Sequence, residues 1–76
     1  HEPAVSLYGG VDGLDVIRQI LSKAKQLLRN GGMLVLEHAD TQAVSIRELL
    51  LAEGWISVDS KKDLAGKDRM ISATKP

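Results

Sequence analysis

There is no cysteine among these 76 residues, so the chain has neither a disulfide framework nor a thiolate metal site. It also lacks excess charge of either sign. Ten basic residues are balanced by ten acidic ones, which gives no electrostatic reason to expect nucleic acid or a membrane surface as a partner. No apolar run approaches the roughly 18 residues that a membrane-spanning helix needs. Large aromatics are scarce, Tyr8 and Trp55 being the only two, whereas base-stacking surfaces use several. The opening "HEPAVSLYGG" has no basic segment and no long apolar core, so it does not read as a signal peptide. A cysteine-free, charge-balanced chain fits the cytoplasm. The absence of an initial Met suggests a cleaved chain or a piece of something longer. A chain of this length is one domain at most. It buries only about 60% of its unfolded surface, so marginal stability is expected.

Residues 1–10, with Pro3 and the pair Gly9-Gly10, read as an ordered loop. A helix is expected over 12–29, with Asp12 as cap and Asp15 adding negative charge to the first turn. Leu14, Ile17, Ile20, Leu21, Ala24, Leu27 and Leu28 form its apolar stripe, and Asn30-Gly31-Gly32 ends it. "MLVLEHA", residues 33–39, reads as a strand covered on both faces. A second helix over 41–53, capped by Asp40 or Thr41 and ended by Gly54, carries Ala43, Ile46, Leu49 and Leu50. Val44 and Leu51 form a minor stripe on it. "WISVDSK", residues 55–61, alternates, with Ile56 and Val58 on one side and Ser57 and Asp59 on the other. With "RMISATK", residues 69–75, and a loop containing Gly66, it makes a hairpin. The strand–helix–strand part implies a parallel crossover, and the last strand runs antiparallel to its hairpin partner. One helix has no strand before it, as in a doubly wound sheet cut partway through.

The candidate sites are sparse. "YGGVDGLDVI", residues 8–17, places glycines before a helix. Its spacing is G-G-x-x-G, no strand is expected before it, and the Gly-Lys-Ser/Thr of a phosphate loop is missing, so it reads as a tight turn. Glu37 and His38 are neighbours on a strand and point to opposite faces, and no third ligand joins them in a metal site. His38 and Asp40 end a parallel-type strand, where open α/β sheets place ligands, but they lack partners there. Asp63, Lys67, Asp68 and Arg69 read as solvated charges around a turn. Trp55 reads as a core anchor. No Ser stands in a nucleophile's setting.

Four stretches carry a resemblance. "EPAVSLYGGVDGLDVIRQI" is similar to the E-P-x-x-A-L-x-G-G-x-D-G-L segment of the HemK/PrmC family of protein-(glutamine-N5) methyltransferases. "LLRNGGMLVLEHADTQ" resembles that family's L-x-P-G-G-x-L-x-L-E-x-G-x-x-Q, "RELLLAEGW" its R-x-L-L-x-x-x-G-F, and "DLAGKDRM" its D-x-A-G-x-D-R. The resemblance covers essentially the whole chain, in order and at the family's spacings. Glu2, Pro3, Gly9, Gly10, Asp12, Gly13 and Leu14 match the first segment. Gly31, Gly32, Glu37 and Gln42 match the second, Arg47, Leu49, Leu50 and Gly54 the third, and Asp63, Gly66, Asp68 and Arg69 the fourth. Ser6, Asn30, Ala39 and Trp55 depart from the usual Ala, Pro, Gly and Phe.

The resemblance implies an enzyme that uses S-adenosylmethionine to methylate the side-chain amide of the glutamine in the Gly-Gly-Gln motif of peptide-chain release factors. The family's cofactor loop and its Asn-Pro-Pro-Tyr are both absent from this sequence. The chain therefore looks like the C-terminal portion, residues 1–76, of a class I, Rossmann-like catalytic domain. The matching positions are then structural, with no catalytic, cofactor or metal residue among them. The implied sheet has three strands in the order 33–38, 69–74, 56–61, the last-formed strand central and antiparallel, with both helices on one face. Strand 33–38 is left as a cut edge, and self-association through that edge or through the uncovered face is expected. The parent's partners would be release factors, with no direct nucleic acid and no membrane. An adenine-N6 nucleic-acid methyltransferase and a small non-enzymatic α/β interaction module are the alternatives.

Overall fold

A computed structural model of the chain describes residues 1–7 and 13–76. The elements are β1 (Glu2–Leu7), α1 (Leu14–Leu27), β2 (Leu28–Glu37), a 3-10 turn at Asp40–Gln42, α2 (Ala43–Ala52), β3 (Ile56–Lys62) and β4 (Asp68–Thr74). The four strands form one mixed sheet in the order β1-β2-β4-β3. β2 and β3 both run antiparallel to β4 and hence parallel to each other. The expected crossover, the hairpin and the central place of the last strand are all present. α1 and α2 touch each other and close one core with the sheet. No described helix is long and apolar enough to cross a membrane.

The count of three strands is corrected to four. Residues 1–10 are not simply a loop, because Glu2–Leu7 pairs in parallel with β2, setting Val5 against Leu34, Ser6 against Val35 and Leu7 against Leu36. A strand thus does precede α1, and β2 is not a cut edge. Segment 33–38 is an interior strand, and the open edges are β1 and β3. The physical reason is that a parallel neighbour satisfies the β2 backbone groups that would otherwise lie unpaired.

α1 is shorter than expected. It ends at Leu27, and Leu28 is already extended, its backbone N–H donating to the Ala24 carbonyl. Residues 30–32 belong to β2, where the pairing with β1 jumps from Glu2–Leu28 to Ala4–Met33 across an irregularity. Asp12 lies outside the described residues. Gly13 occupies the N-cap position of α1 with no side-chain cap bond. Before α2 the cap is neither Asp40 nor Thr41. Those residues form the 3-10 turn, and Ala39 precedes it.

Ile17, Leu21 and Ala24 from α1, Leu28, Leu34 and Leu36 from β2, Ile46 and Leu50 from α2, Trp55, and Ile71 and Ala73 from β4 make the core. Of the stripe read for α1, Ile17, Leu21 and Ala24 are buried, Ile20 is half-buried, Leu14 and Leu27 are exposed, and Leu28 reaches the core from a strand. β2 is not covered on both faces. Leu34 and Leu36 are buried, whereas Met33 and Glu37 on the other face are exposed and Val35 is half-buried. Among the described residues both helices lie on one side of the sheet, and the other side has no layer. In β3 the simple alternation fails. Ser57 adopts a left-handed backbone, φ 52°, and the pairing with β4 shifts between Ile56 and Asp59. Ile56 and Asp59 therefore share the open face, and Val58 packs against the core.

Candidate functional site

The hairpin loop is built around one carboxylate. Asp63 Oδ1 accepts from the backbone N–H groups of Ala65, at 2.9 Å, and Lys67, at 3.0 Å. Asp63 Oδ2 accepts from Arg69 Nε at 3.3 Å. The Asp63 backbone N–H donates to the Lys67 carbonyl at 2.8 Å, and Gly66 N–H donates back to the Asp63 carbonyl at 3.0 Å. A short acidic side chain at the head of a turn folds this way because it replaces backbone partners the turn cannot supply. Lys62 and Asp68, on either side of the loop, pair at 3.7 Å.

The backbone donor from Lys67 is the main cause that holds the Asp63 carboxyl below its ordinary value, assisted by Ala65 and Arg69 against a partial opposing effect of burial. A lowered value in the folded chain means that the loop's gain is complete above the ordinary carboxylate range. It is lost as pH falls through the lowered value. The Ala65 and Lys67 amide resonances are therefore expected to titrate together at a pH below that of an ordinary aspartate, and Asp63→Asn to abolish the transition. An ordinary midpoint in an NMR titration would contradict the geometry.

The carboxyl end of β2 lies beside this loop. The His38 backbone N–H donates to the Arg69 carbonyl at 2.9 Å. The His38 ring is buried, with 4% exposure. Its Nδ1 is 2.7 Å from the Ala39 carbonyl oxygen and so carries the proton, while Nε2 has no partner among the described residues. Gln42 clamps the next turn, its Oε1 accepting from Ala39 N–H at 3.1 Å and its own N–H donating to the Ala39 carbonyl at 3.0 Å.

Three positions from two separate motifs converge here. Glu37, Asp63 and Arg69 line one open cleft of about 330 Å³ with Lys61, Lys62 and Met70. The register creates it, because Glu37 and Lys61 both lie opposite Met70 on β4. The walls carry both charges, and both Asp63 oxygens are engaged within the turn. No nucleophile stands among them, and no group of three metal-ligating side chains occurs among the described residues. Lys61 and Lys62 were not anticipated, and their adjacency just before Asp63 was the available signal. The other motif positions lie apart. Glu2 and Pro3 are in β1, Gly13 is at the start of α1, and Gly66 is in the hairpin loop. Gly9, Gly10 and Asp12 lie outside the described residues.

No family model matches the chain, and no solved structure matches it significantly. Curated proteins do. The release factor glutamine methyltransferase of Coxiella burnetii is 45% identical over 73 residues, covering 96% of this chain and 26% of that protein. Its namesake in Clostridium acetobutylicum is 37% identical over 75 residues, covering 99% and 26%. That of Streptomyces coelicolor is 41% identical over 76 residues, covering 99% and 27%. The chain spans about a quarter of the length of these relatives. The HemK/PrmC resemblance read from the four motifs is borne out, and over nearly its whole length the chain is similar to part of the release factor glutamine methyltransferases.

Proposed function

We propose that the chain is the C-terminal part of the catalytic domain of an S-adenosylmethionine-dependent methyltransferase that modifies the glutamine of the Gly-Gly-Gln motif in release factors. The observation that carries this is the similarity to release factor glutamine methyltransferases along nearly the entire chain. The mixed sheet, with an antiparallel strand between two parallel ones, supports a class I, Rossmann-like parent.

In that reading the chain completes the sheet and buttresses the wall against which the substrate lies, and its motif positions serve the fold. Asp63, Gly66 and Arg69 set the hairpin, and Gln42 sets the turn after β2. The S-adenosylmethionine of the parent supplies the methyl group. The protein's part in such a transfer is alignment of the substrate amide, with little acid–base work. The cavities among the described residues do not suit this cofactor. It is cationic at sulfur, and in the hairpin cleft Glu37 and Asp63 are outnumbered by Lys61, Lys62 and Arg69. The larger groove beside α1 is mostly apolar and offers no carboxylate. No step is therefore assigned to this chain's own side chains.

The test has two arms. Titration calorimetry of the isolated chain with S-adenosylmethionine is expected to show no binding at micromolar concentrations, and a micromolar dissociation constant would overturn the reading as a part. In the second arm, the 76 residues replace the matching quarter of the Coxiella burnetii enzyme. Retained methyl transfer to a release factor is expected. A chimera that folds and binds the cofactor but leaves the release factor unmodified would count against the proposed family role.

A further inference from the structure

We propose that Asn30 is a site of spontaneous covalent modification. Its side-chain amide is lost to attack by the Gly31 nitrogen whenever the Lys75 carbonyl lets that nitrogen go.

The reacting groups are neighbours. Asn30 is the only asparagine in the chain, and asparagine is among the thermolabile residues. It is exposed on β2, and its side chain has no hydrogen-bond partner among the described residues. Gly31 follows with φ 82°, in the left-handed region that favours glycine, so the backbone itself calls for glycine after Asn30. A Cβ at Gly31 would meet nothing within 4 Å, which leaves that side of the peptide open. Once its proton has gone to hydroxide, the Gly31 nitrogen attacks Asn30 Cγ. The N–Cγ bond forms, the Cγ–Nδ2 bond breaks, and the amide leaves as ammonia with a proton taken from water. Water then opens the cyclic succinimide. Cleavage of the new N–Cγ bond gives aspartate. Cleavage between that nitrogen and the Asn30 carbonyl carbon gives isoaspartate, whose main chain runs through Cβ and Cγ.

The closed sheet withholds the nucleophile. Gly31 N–H donates to the Lys75 carbonyl at 2.7 Å, and Lys75 N–H donates to the Gly32 carbonyl at 2.9 Å. An amide held in this way must first give up its hydrogen bond. Lys75 is fixed in turn by its own side chain, Nζ donating to the Lys25 and Leu28 carbonyls at 2.6 and 2.8 Å. This latch lies just beyond Met33 and Thr74, the last pair in register between β2 and β4. Local opening is easiest at such an end, and it frees Gly31 while Leu34 and Ile71 remain packed.

The product does not fit the closed sheet. Isoaspartate puts an extra main-chain carbon between residues 30 and 31. Gly32 leaves no slack for it, because even a Cβ there would stand 2.9 Å from the Arg29 carbonyl oxygen and 3.2 Å from the Glu2 carbonyl oxygen. The lengthened chain cannot restore both bonds to Lys75, and the start of β1 loses its close neighbour. The modification is a one-way loosening of this end of the sheet.

The test incubates residues 1–76 at mildly alkaline pH, folded and in concentrated urea, and follows conversion of Asn30 by peptide mass spectrometry. The folded chain is expected to react more slowly by the factor that protects its Gly31 amide from hydrogen exchange. Lys75→Met keeps the apolar stem and removes the Nζ donor. It should retain the circular dichroism of the parent chain and react roughly tenfold faster, as the loss of support for a hydrogen bond implies. Asn30→Gln should release no ammonia over the same period. The purified isoaspartate form should show faster amide exchange at Ala4. Equal rates in the folded and unfolded chain, an Asn30 that stays intact in urea, or a Lys75→Met rate unchanged while its Gly31 amide exchanges faster overturns the proposal. Unchanged exchange at Ala4 in the isoaspartate form refutes the loosening. Should Lys75→Met fail to fold, the match between reaction rate and Gly31 exchange in the parent chain decides alone.

Discussion

Trp55→Ala is expected to leave the chain largely unfolded at room temperature. Trp55 is 2% exposed and lies among the core residues of both helices and the sheet. It stands where α2 turns back toward β3, its backbone N–H donating to the Leu50 carbonyl at 3.0 Å. Lys25 Nζ sits 5.9 Å from the ring centroid and donates to the Glu53 carbonyl at 2.5 Å, so the ring also anchors the end of α1 to the end of α2. Truncating a buried Trp costs about 3–5 kcal/mol. A domain of this length has roughly 4–11 kcal/mol in total, so one substitution removes about a quarter of it or more. Trp55→Phe separates volume from polarity. The indole N–H is buried without a partner among the described residues, so Phe gives up no hydrogen bond. Denaturant unfolding followed by circular dichroism should place Phe close to the parent chain and Ala far below it. Equal losses in the two variants would show that something other than ring volume is at stake.

Gly32→Ala carries the second large effect. A Cβ there would lie 2.9 Å from the Arg29 carbonyl oxygen, 2.9 Å from Leu28 Cδ2 and 3.2 Å from the Glu2 carbonyl oxygen. Two of those atoms are backbone, and one belongs to β1. The site cannot relax by sliding, because Gly31 N–H donates to the Lys75 carbonyl at 2.7 Å and Lys75 N–H donates to the Gly32 carbonyl at 2.9 Å. Overpacking of this kind costs about 1–3 kcal/mol, and the strand that must give way is β1. Gly31→Ala is the control. Its Cβ meets open space, but φ is 82°, and the left-handed backbone costs an L residue roughly 1–2 kcal/mol. The two variants should differ in kind. Gly32→Ala speeds amide exchange from Ala4 to Leu7, and Gly31→Ala leaves those amides protected. Unchanged exchange in β1 for Gly32→Ala would show that the contact with Glu2 is not tight.

The parts of the fold legible in the sequence were those fixed by local pattern. The Ile17–Leu21–Ala24 spacing gave α1, and Gly66 between two strand-like runs gave the hairpin. β1 was not legible, because Glu2 to Leu7 is short, has Pro3 as its second residue and buries little of itself. What makes it a strand is its parallel pairing with residues some thirty positions away. Leu28 fitted the helical stripe because helix and strand both deliver it to the same core. The alternation in β3 misled because one left-handed residue, Ser57, reverses the faces after it. At the site, Asp63 and Arg69 were legible as a turn pair. Their meeting with Glu37 was not, since it depends on how β2, β4 and β3 register against one another.

The strand made last sits in the middle of the sheet, and this shapes how the chain acquires its structure. As the polypeptide emerges, β1, α1 and β2 can join early, since their pairing is complete by residue 37. β3 has no neighbour until residues 68–74 appear, and the two halves of the core stay apart until Ile71 and Ala73 lie between them. Lys75 then ties the closing strand to the start, its Nζ donating to the Lys25 and Leu28 carbonyls at 2.6 and 2.8 Å. Contacts between residues this far apart in sequence make folding slow for so small a domain. They also concentrate the decisive step in the final few residues: until those are made, the first half of the chain presents apolar surface with nothing to close it.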